Sequence, residues 1–227
     1  MKVIEQYVEV YTPLNEREIL QKLEAAGRVC YKSEDKIKDG SAETFVANII
    51  KRGHEAVLEH ASITVKCITD RAVTHEIVRH RLFSYCQESQ RYCNYSKDKF
   101  GSEVVYIRPV YLEKGTFVHR TWNSAMSRAE MAYFDLLDAG LAPEEARAVL
   151  PNSCKTEIVM TANIREWRHF LKLRTSEAAH PQMRDLAGQN YSVISNGIRR
   201  QTTRADGSAK YHLQRACPGY RHNLWIY

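Results

Sequence analysis

Residues 61–81 read ASITVKCITDRAVTHEIVRHR, and two different hydrophobic periods meet inside them. From Ala61 to Thr69 apolar and polar residues alternate, with Ile63, Val65 and Cys67 on one side and Ser62, Thr64 and Lys66 on the other. A period of two is that of a strand buried on one face, which leaves the second face wet or turned to a ligand. Asp70 then stands where a helix N-cap belongs, and Val73 and Ile77 begin an apolar stripe at helical spacing over DRAVTHEIVRHR. A strand running straight into a helix is the first sign of a mixed α/β chain. The stripe continues onto His80 and Arg81. Burying an unpaired charge costs several kcal/mol, so this cationic end needs a counter-anion, an open cleft or emergence into solvent. Periodicity alone leaves all three open.

Outward from this stretch, MKVIEQYVEV alternates as a first strand, and Thr12-Pro13 opens a helical pattern with Ile19, Leu20, Leu23 and Ala26, closed by Gly27. Asp39-Gly40-Ser41 caps a second helix carrying Phe45, Val46, Ile49 and Ile50 up to Gly53, and GHEAVLEH follows it. Val104 to Ile107 reads as a strand, and Thr116 to Ala139 as the longest helix, a core or subunit-interface element. Pro143 opens a short helix, PEEARAVLP, in which Arg147 stands beside Ala146, Val149 and Leu150. Asn163 and Glu166 form a helix-start signal, and the stripe Trp167, Phe170, Leu171 ends, like the first, in a cation, Arg174. Pro181 starts a last amphipathic helix with Met183, Leu186, Ala187, Ile194 and Ile198. With no repeat or linker, residues 1–227 are expected to form one domain, residues 201–227 being a basic, aromatic extension.

Composition narrows the function class. No stretch approaches the roughly 20 apolar residues of a membrane span, and the start of the chain lacks the basic, apolar and small-residue regions of a secretory signal. Six scattered cysteines without a CxxC pair point to reduced thiols in the cytoplasm. A net charge of +6 and a pI near 9.0 favour anionic ligands.

Familiar motifs are missing. His75-Glu76 is followed by His80, one residue too far for a zincin helix, and His54-Glu55 is followed by Leu58, so no metal is expected. There is no GxGxxG and no GxxxxGK[ST], so phosphate binding falls to side chains. Arg79, Arg81, Arg91, Arg147 and Arg174 offer planar donor forks that stay charged in a pocket. Ser89 lacks the strand-to-helix elbow of a nucleophilic serine and reads as a ligand contact. Cys86 and Cys93 read as bystanders.

Arg79-His80-Arg81, seven residues, Ser89 and then Arg91-Tyr92 resemble the RHRx7S signature of the flavin-dependent thymidylate synthases. GHEAVLEH, EARAVLP, NIREWRHFLKLR and AAHPQMR resemble that family's other blocks, in the same order, over about residues 50 to 190. The resemblance implies a homotetrameric α/β (α+β) enzyme with a central, mostly antiparallel sheet flanked by long helices and with sites shared between subunits. The implied reaction makes dTMP from dUMP, with methylenetetrahydrofolate as carbon donor and NADPH-reduced FAD as hydride source.

Residue by residue, the resemblance implies that Arg79, His80 and Arg81 bridge dUMP and FAD, and that Gln87 lies between the two. Glu76, Glu88, Ser89, Gln90, Arg91 and Arg147 would contact dUMP, the last across a subunit boundary. Arg174 would lie beside the uracil ring as the catalytic residue. His54, Ala56, Asn163, Arg165 and His169 would line the cofactor pocket. Glu76 stands where some members have Gln, His169 where some have Asn, and Gln87 where some have Glu.

A second reading is a basic nucleic-acid-binding module without catalysis, drawn from the pI, the clustered arginines and the interleaved tyrosines. Against it, the arginines are dispersed among blocks separated by core helices, which suits a closed small-molecule site. Neither a nucleic acid nor a membrane is an expected partner.

Overall fold

Strands β3 (Ser62–Asp70) and β6 (Lys155–Asn163) pair antiparallel along their whole length, Ser62 facing Asn163 and Asp70 facing Lys155. They are the middle of a four-stranded sheet with β2 (Tyr7–Val10) outside β3 and β4 (Ser84–Gln87) outside β6, every pairing antiparallel. A smaller parallel pair joins β1 (Lys2–Ile4) to β5 (Val105–Ile107). The computed structural model describes residues 1–12, 14–97 and 101–200, with side chains to Ser195. The expected extension 201–227, Cys217, Pro13 and the Ile198 side chain lie outside the described residues.

The register explains the core. Ile63, Val65 and Cys67 face Ala162, Met160 and Ile158, so one sheet face is a continuous apolar surface. Helices α1 (Glu16–Val29), α2 (Ser41–Lys51), α6 (Ile164–Arg174) and α7 (Pro181–Arg200) contribute Leu23, Val46, Trp167, Phe170, Met183 and Leu186 to the same core. The opposite face is polar. The Thr64 and Thr161 hydroxyls are 2.9 Å apart, and Lys66 Nζ lies 2.8 Å from Glu9 and 3.3 Å from Glu157. A second cluster, including Tyr106, Met126, Tyr133 and Cys154, involves β5 and helices α4 (Phe117–Asp138) and α5 (Pro143–Ala146).

Local chemistry sets the boundaries, and several differ from the sequence expectation. MKVIEQYVEV is two strands in two sheets, because Gln6 is buried between them. Its amide donates to the Gln182 carbonyl at 2.9 Å and to Asp185 at 2.7 Å, and accepts from the Thr69 hydroxyl at 2.9 Å. Helix α1 starts after Asn15, whose side chain caps the Glu18 N–H, rather than at Thr12-Pro13. It also runs through Gly27, where a Cβ would come within 2.6 Å of the Phe45 ring, so this glycine permits close packing of α2 instead of ending the helix. Gly40 is the N-cap of α2, in the left-handed region and without a side-chain cap.

Helix α3 (Arg71–Ile77) is capped by Asp70, which accepts from the Val73 N–H at 2.8 Å, but it ends four residues before Arg81. The segment Ser84–Gln87, to which the sequence pattern assigns no element, is the edge strand β4. Strand β6 is the element that the sequence reading lacked altogether, although Thr156, Ile158, Met160 and Ala162 alternate with period two. Helix α5 stops at Ala146, followed by a 3-10 turn over Arg147–Val149. No helix of the described residues is long and apolar enough to cross a membrane.

Candidate active site

The early end of α3 decides where the cations go. After Ile77 the chain turns, the His80 N–H bonding the Ile77 carbonyl at 3.0 Å, and the Tyr85 hydroxyl lies 2.7 and 2.8 Å from the carbonyl oxygens of Ile77 and His80. The turn buries His80 against the edges of Phe83 and Phe170 and leaves Arg79 and Arg81 exposed. The stripe therefore divides: one imidazole enters the protein and two guanidiniums face out.

Arg174, from the last turn of α6, closes on the same spot. Its Nη1 donates to a Glu76 carboxylate oxygen at 2.9 Å, its Nη2 to the Glu76 carbonyl at 3.2 Å, and its Nε to His80 Nε2 at 2.9 Å. Glu76 is thus the counter-anion that the second cationic stripe requires, and three bonds fix the guanidinium plane. Because His80 Nε2 accepts from Arg174, the neutral ring carries its proton on Nδ1, which faces Glu166 at 3.7 Å. Burial first, then Arg174 and His169, push the His80 pKa down to about 4, so the ring is neutral at physiological pH. Burial also raises the Glu166 carboxyl above its usual range.

The N-terminal half of α6 gathers a second group. Asn163 caps the helix by accepting from the Glu166 N–H at 2.9 Å. Arg165 reaches Glu59 at 2.6 Å and Arg168 reaches Glu55 at 3.3 Å, tying α6 to the 3-10 turn Glu55–His60 that carries Ala56. His54 precedes that turn, its Nδ1 2.8 Å from the Tyr31 hydroxyl. His169 links the two halves, its ring centroid 6.0 Å from that of His80.

A third group follows β4. Gln87 donates to the Thr74 hydroxyl of α3 at 3.0 Å and to Thr156 of β6 at 3.3 Å. The Glu88 carboxylate is engaged within the chain, by Lys155 at 3.0 Å and the Tyr95 hydroxyl at 3.3 Å. Ser89 Oγ accepts from the Arg91 N–H at 3.3 Å. Gln90 is buried, its side chain beside the Tyr95 hydroxyl. Arg91 Nε meets the Glu144 carboxylate at 2.9 Å, and Arg147 Nε meets the Glu144 carbonyl at 3.1 Å. Arg91 and Arg147, 56 positions apart in number, thus share one small helix within a single chain.

Glu166 and Glu144 are among the residues of these groups that the sequence pattern does not assign to a site. Glu166 registers there only as a helix-start signal, yet the cap uses its backbone N–H and frees its carboxylate to face His80. The Glu166/His169 spacing of three on one helix face was the available signal. Glu144 has no such signal, since its role depends on a fold contact with Arg91. Cys67 and Cys154 are buried and their thiols are pushed up to about 12, which excludes them as thiolate nucleophiles at neutral pH. An open cavity of about 780 Å³ lies between α2 and the segment that joins it to α1, lined by Tyr31, Phe45, Lys36 and Arg52 among others.

Comparison with known proteins gives the geometry its family. The family described as thymidylate synthase complementing protein matches residues 13–196. The flavin-dependent thymidylate synthase of Geobacter sulfurreducens is 39% identical over 177 residues, covering 74% of each chain. That of Pyrococcus furiosus is 35% identical over 156 residues, covering 68% of this chain and 63% of the relative. That of Mycobacterium tuberculosis is 39% identical over 181 residues, covering 73% and 71%. The crystal structure of the UMP/dUMP methylase PolB from Streptomyces cacaoi, bound with 5-Br dUMP, superposes with a TM-score of 0.69 over 89% of this chain and 97% of that one. At 24% identity it speaks for the fold. The fold, the RHRx7S segment and a match across most of the chain converge: this protein belongs to the thymidylate synthase complementing protein family, that of the flavin-dependent thymidylate synthases.

Proposed function

We propose that this chain is an FAD-dependent thymidylate synthase that converts dUMP to dTMP, with methylenetetrahydrofolate as the methyl carbon donor and NADPH as the reductant. Its working form in this reading is a cytoplasmic homotetramer with sites shared between subunits. The observation that carries the proposal is the convergence of Arg174 on Glu76 and His80, from blocks about a hundred residues apart, inside a family match.

Arg174 is the catalytic residue. Clamped by Glu76 and bonded to a neutral His80, it presents a fixed positive charge that stabilises the N3-deprotonated, enolate-like uracil and makes the ring carbon more nucleophilic. A neutral imidazole adds no competing charge. Ser89, Gln90, Arg91 and Arg147 bind the nucleotide, where phosphate takes the place of Glu144 on Arg91. Glu76 holds Arg174 beside the base, Gln87 stands between nucleotide and cofactor, and Glu88 shapes the loop through Lys155.

Bound flavin supplies the hydride that completes the methyl group. Arg79, Arg81 and Arg165 would hold its anionic diphosphate, while His54, Ala56, His80, Asn163 and His169 would line the rest of its pocket. The donor set, guanidiniums, imidazoles and one amide around a bonded turn, fits such an anionic aromatic group. The nucleic-acid alternative is disfavoured because Arg174, Arg91 and Arg165 are each held by a carboxylate rather than arrayed on a free face.

The test is release of tritium from 5-tritiated dUMP. NADPH- and FAD-dependent release is expected, with dTMP formed only when methylenetetrahydrofolate is present. No release by folded, flavin-loaded protein would overturn the reading.

A further inference from the structure

No metal motif is legible in the sequence, because local spacing excludes only motifs carried by one segment. The fold brings together three ligand residues from two segments: His80 from the turn after α3, and Glu166 and His169 from α6. One donor atom from each lies within 4.8 Å of the other two, and His80 Nδ1 is 3.7 Å from Glu166 Oε1. Donors bound at 2.0–2.2 Å around a tetrahedral ion stand ~3.3–3.6 Å apart, so the cluster is within about 1.5 Å of closure. His169 is exposed and can supply that movement by rotation, whereas His80 and Glu166 are buried and already placed.

We propose that His80, Glu166 and His169 form a binding site for a divalent transition-metal ion of the zinc class, with water completing the coordination. Two imidazoles and one carboxylate are donors for zinc and its neighbours, whereas magnesium and calcium prefer oxygen-only sites. Glu166 and His169 have the Glu-x-x-His spacing with which helices present ligands to metals in carboxylate bundles.

Occupation changes the site around it. Coordination at His80 Nδ1 requires the ring proton to reside on Nε2, which then stops accepting from Arg174 Nε; Arg174 remains on Glu76. The lost bond and the neighbouring guanidinium place the affinity below that of closed four-ligand zinc sites. His80 and His169 also line the flavin pocket in the proposed function, and on that reading metal and flavin exclude each other.

The experiment uses the full chain freed of flavin and metal. Titration with Co²⁺ is expected to give ligand-field absorption saturating at one ion per chain. His169→Asn and Glu166→Gln should each weaken binding at least tenfold, on the scale of losing a metal's supporting partner. His60→Gln, an exposed histidine elsewhere, should leave it unchanged. Since His169 is not part of the core, that variant is expected to fold, and circular dichroism checks it. The same Co²⁺ affinity and spectrum in His169→Asn as in the parent would overturn the site. In a second arm, saturating Zn²⁺ should raise the FAD dissociation constant at least tenfold in the parent and not in His169→Asn; FAD binding indifferent to zinc overturns the exclusion. Protein that binds Co²⁺ through these residues but never FAD supports the metal site and counts against the flavin reading.

Discussion

Arg174 Nε donates to His80 Nε2 at 2.9 Å, while its other two nitrogens are held by the carboxylate and the carbonyl of Glu76. An imidazole that accepts from a guanidinium cannot also be protonated there. The pair therefore has one charge, on Arg174, at a defined place.

Arg174→Lys tests whether the fork or only the charge matters. An ammonium cannot hold Glu76 twice and His80 once in one plane. Turnover is expected to fall about 10²–10³-fold, as for removal of a fixed transition-state donor, with Arg174→Ala at least as severe and FAD binding retained in both. Steady-state kinetics with flavin absorbance checks this, and near-normal turnover in Arg174→Ala would remove the residue from its role.

His80 makes stability depend on pH. Its pKa falls from 6.5 in the unfolded chain to about 4 in the folded one, so between these values the unfolded state binds the extra proton. Stability is fully present above pH 6.5 and is lost as pH falls towards 4, by on the order of 2–3 kcal/mol. Asp70 and Glu166, whose carboxyls burial raises, act in the opposite sense and remain in a His80→Gln variant. Urea unfolding at pH 7.5 and pH 5 should show a smaller loss in His80→Gln than in the parent; an equal loss would refute the assignment.

Ser89→Ala separates binding from nucleophilic catalysis. The hydroxyl accepts from the Arg91 N–H and has no base assigned to it. The expected result is a KM for dUMP raised by about tenfold, consistent with one charge-assisted hydrogen bond, and a turnover number within a few-fold of the parent. Abolished turnover with dUMP binding intact would restore a nucleophilic serine.

Glu144→Ala should improve binding. In the free protein Arg91 is occupied by Glu144, an exposed pair of about 0–1 kcal/mol, so removing the competitor should tighten dUMP by up to about fivefold. Calorimetric titration with dUMP measures it. Weaker binding would mean that the carboxylate orients Arg91 rather than competing for it.

Asp70→Ala probes the junction of β3 and α3. Loss of a side-chain cap costs about 1 kcal/mol, and up to about 2 where the cap is buried as here. Thermal unfolding should register that loss; an unchanged midpoint would show that the cap is redundant.

Much of the fold was legible because it rests on short-range rules. The alternation of Ser62–Asp70, the Asp70 and Asn163 caps, the Thr116 start of α4 and the proline starts at 143 and 181 are all properties of neighbouring residues. So was the signature Arg79-His80-Arg81 with Ser89, which depends on spacing alone. Boundaries set by distant partners were not. Gln6 splits a strand through residues 176 and 179 positions away, and β4 exists as a strand because β6 offers an edge to pair with. The sequence also marked two apolar stripes as ending in cations without saying what answers them. Only the tertiary structure decided that Arg174 meets Glu76, that His80 turns inward while Arg79 and Arg81 face out, and that Arg91 and Arg147 converge on Glu144. The physical reason is that caps and periodicities are written in the few bonds around each residue, whereas the charge partner of an arginine is chosen by which elements the buried core brings side by side.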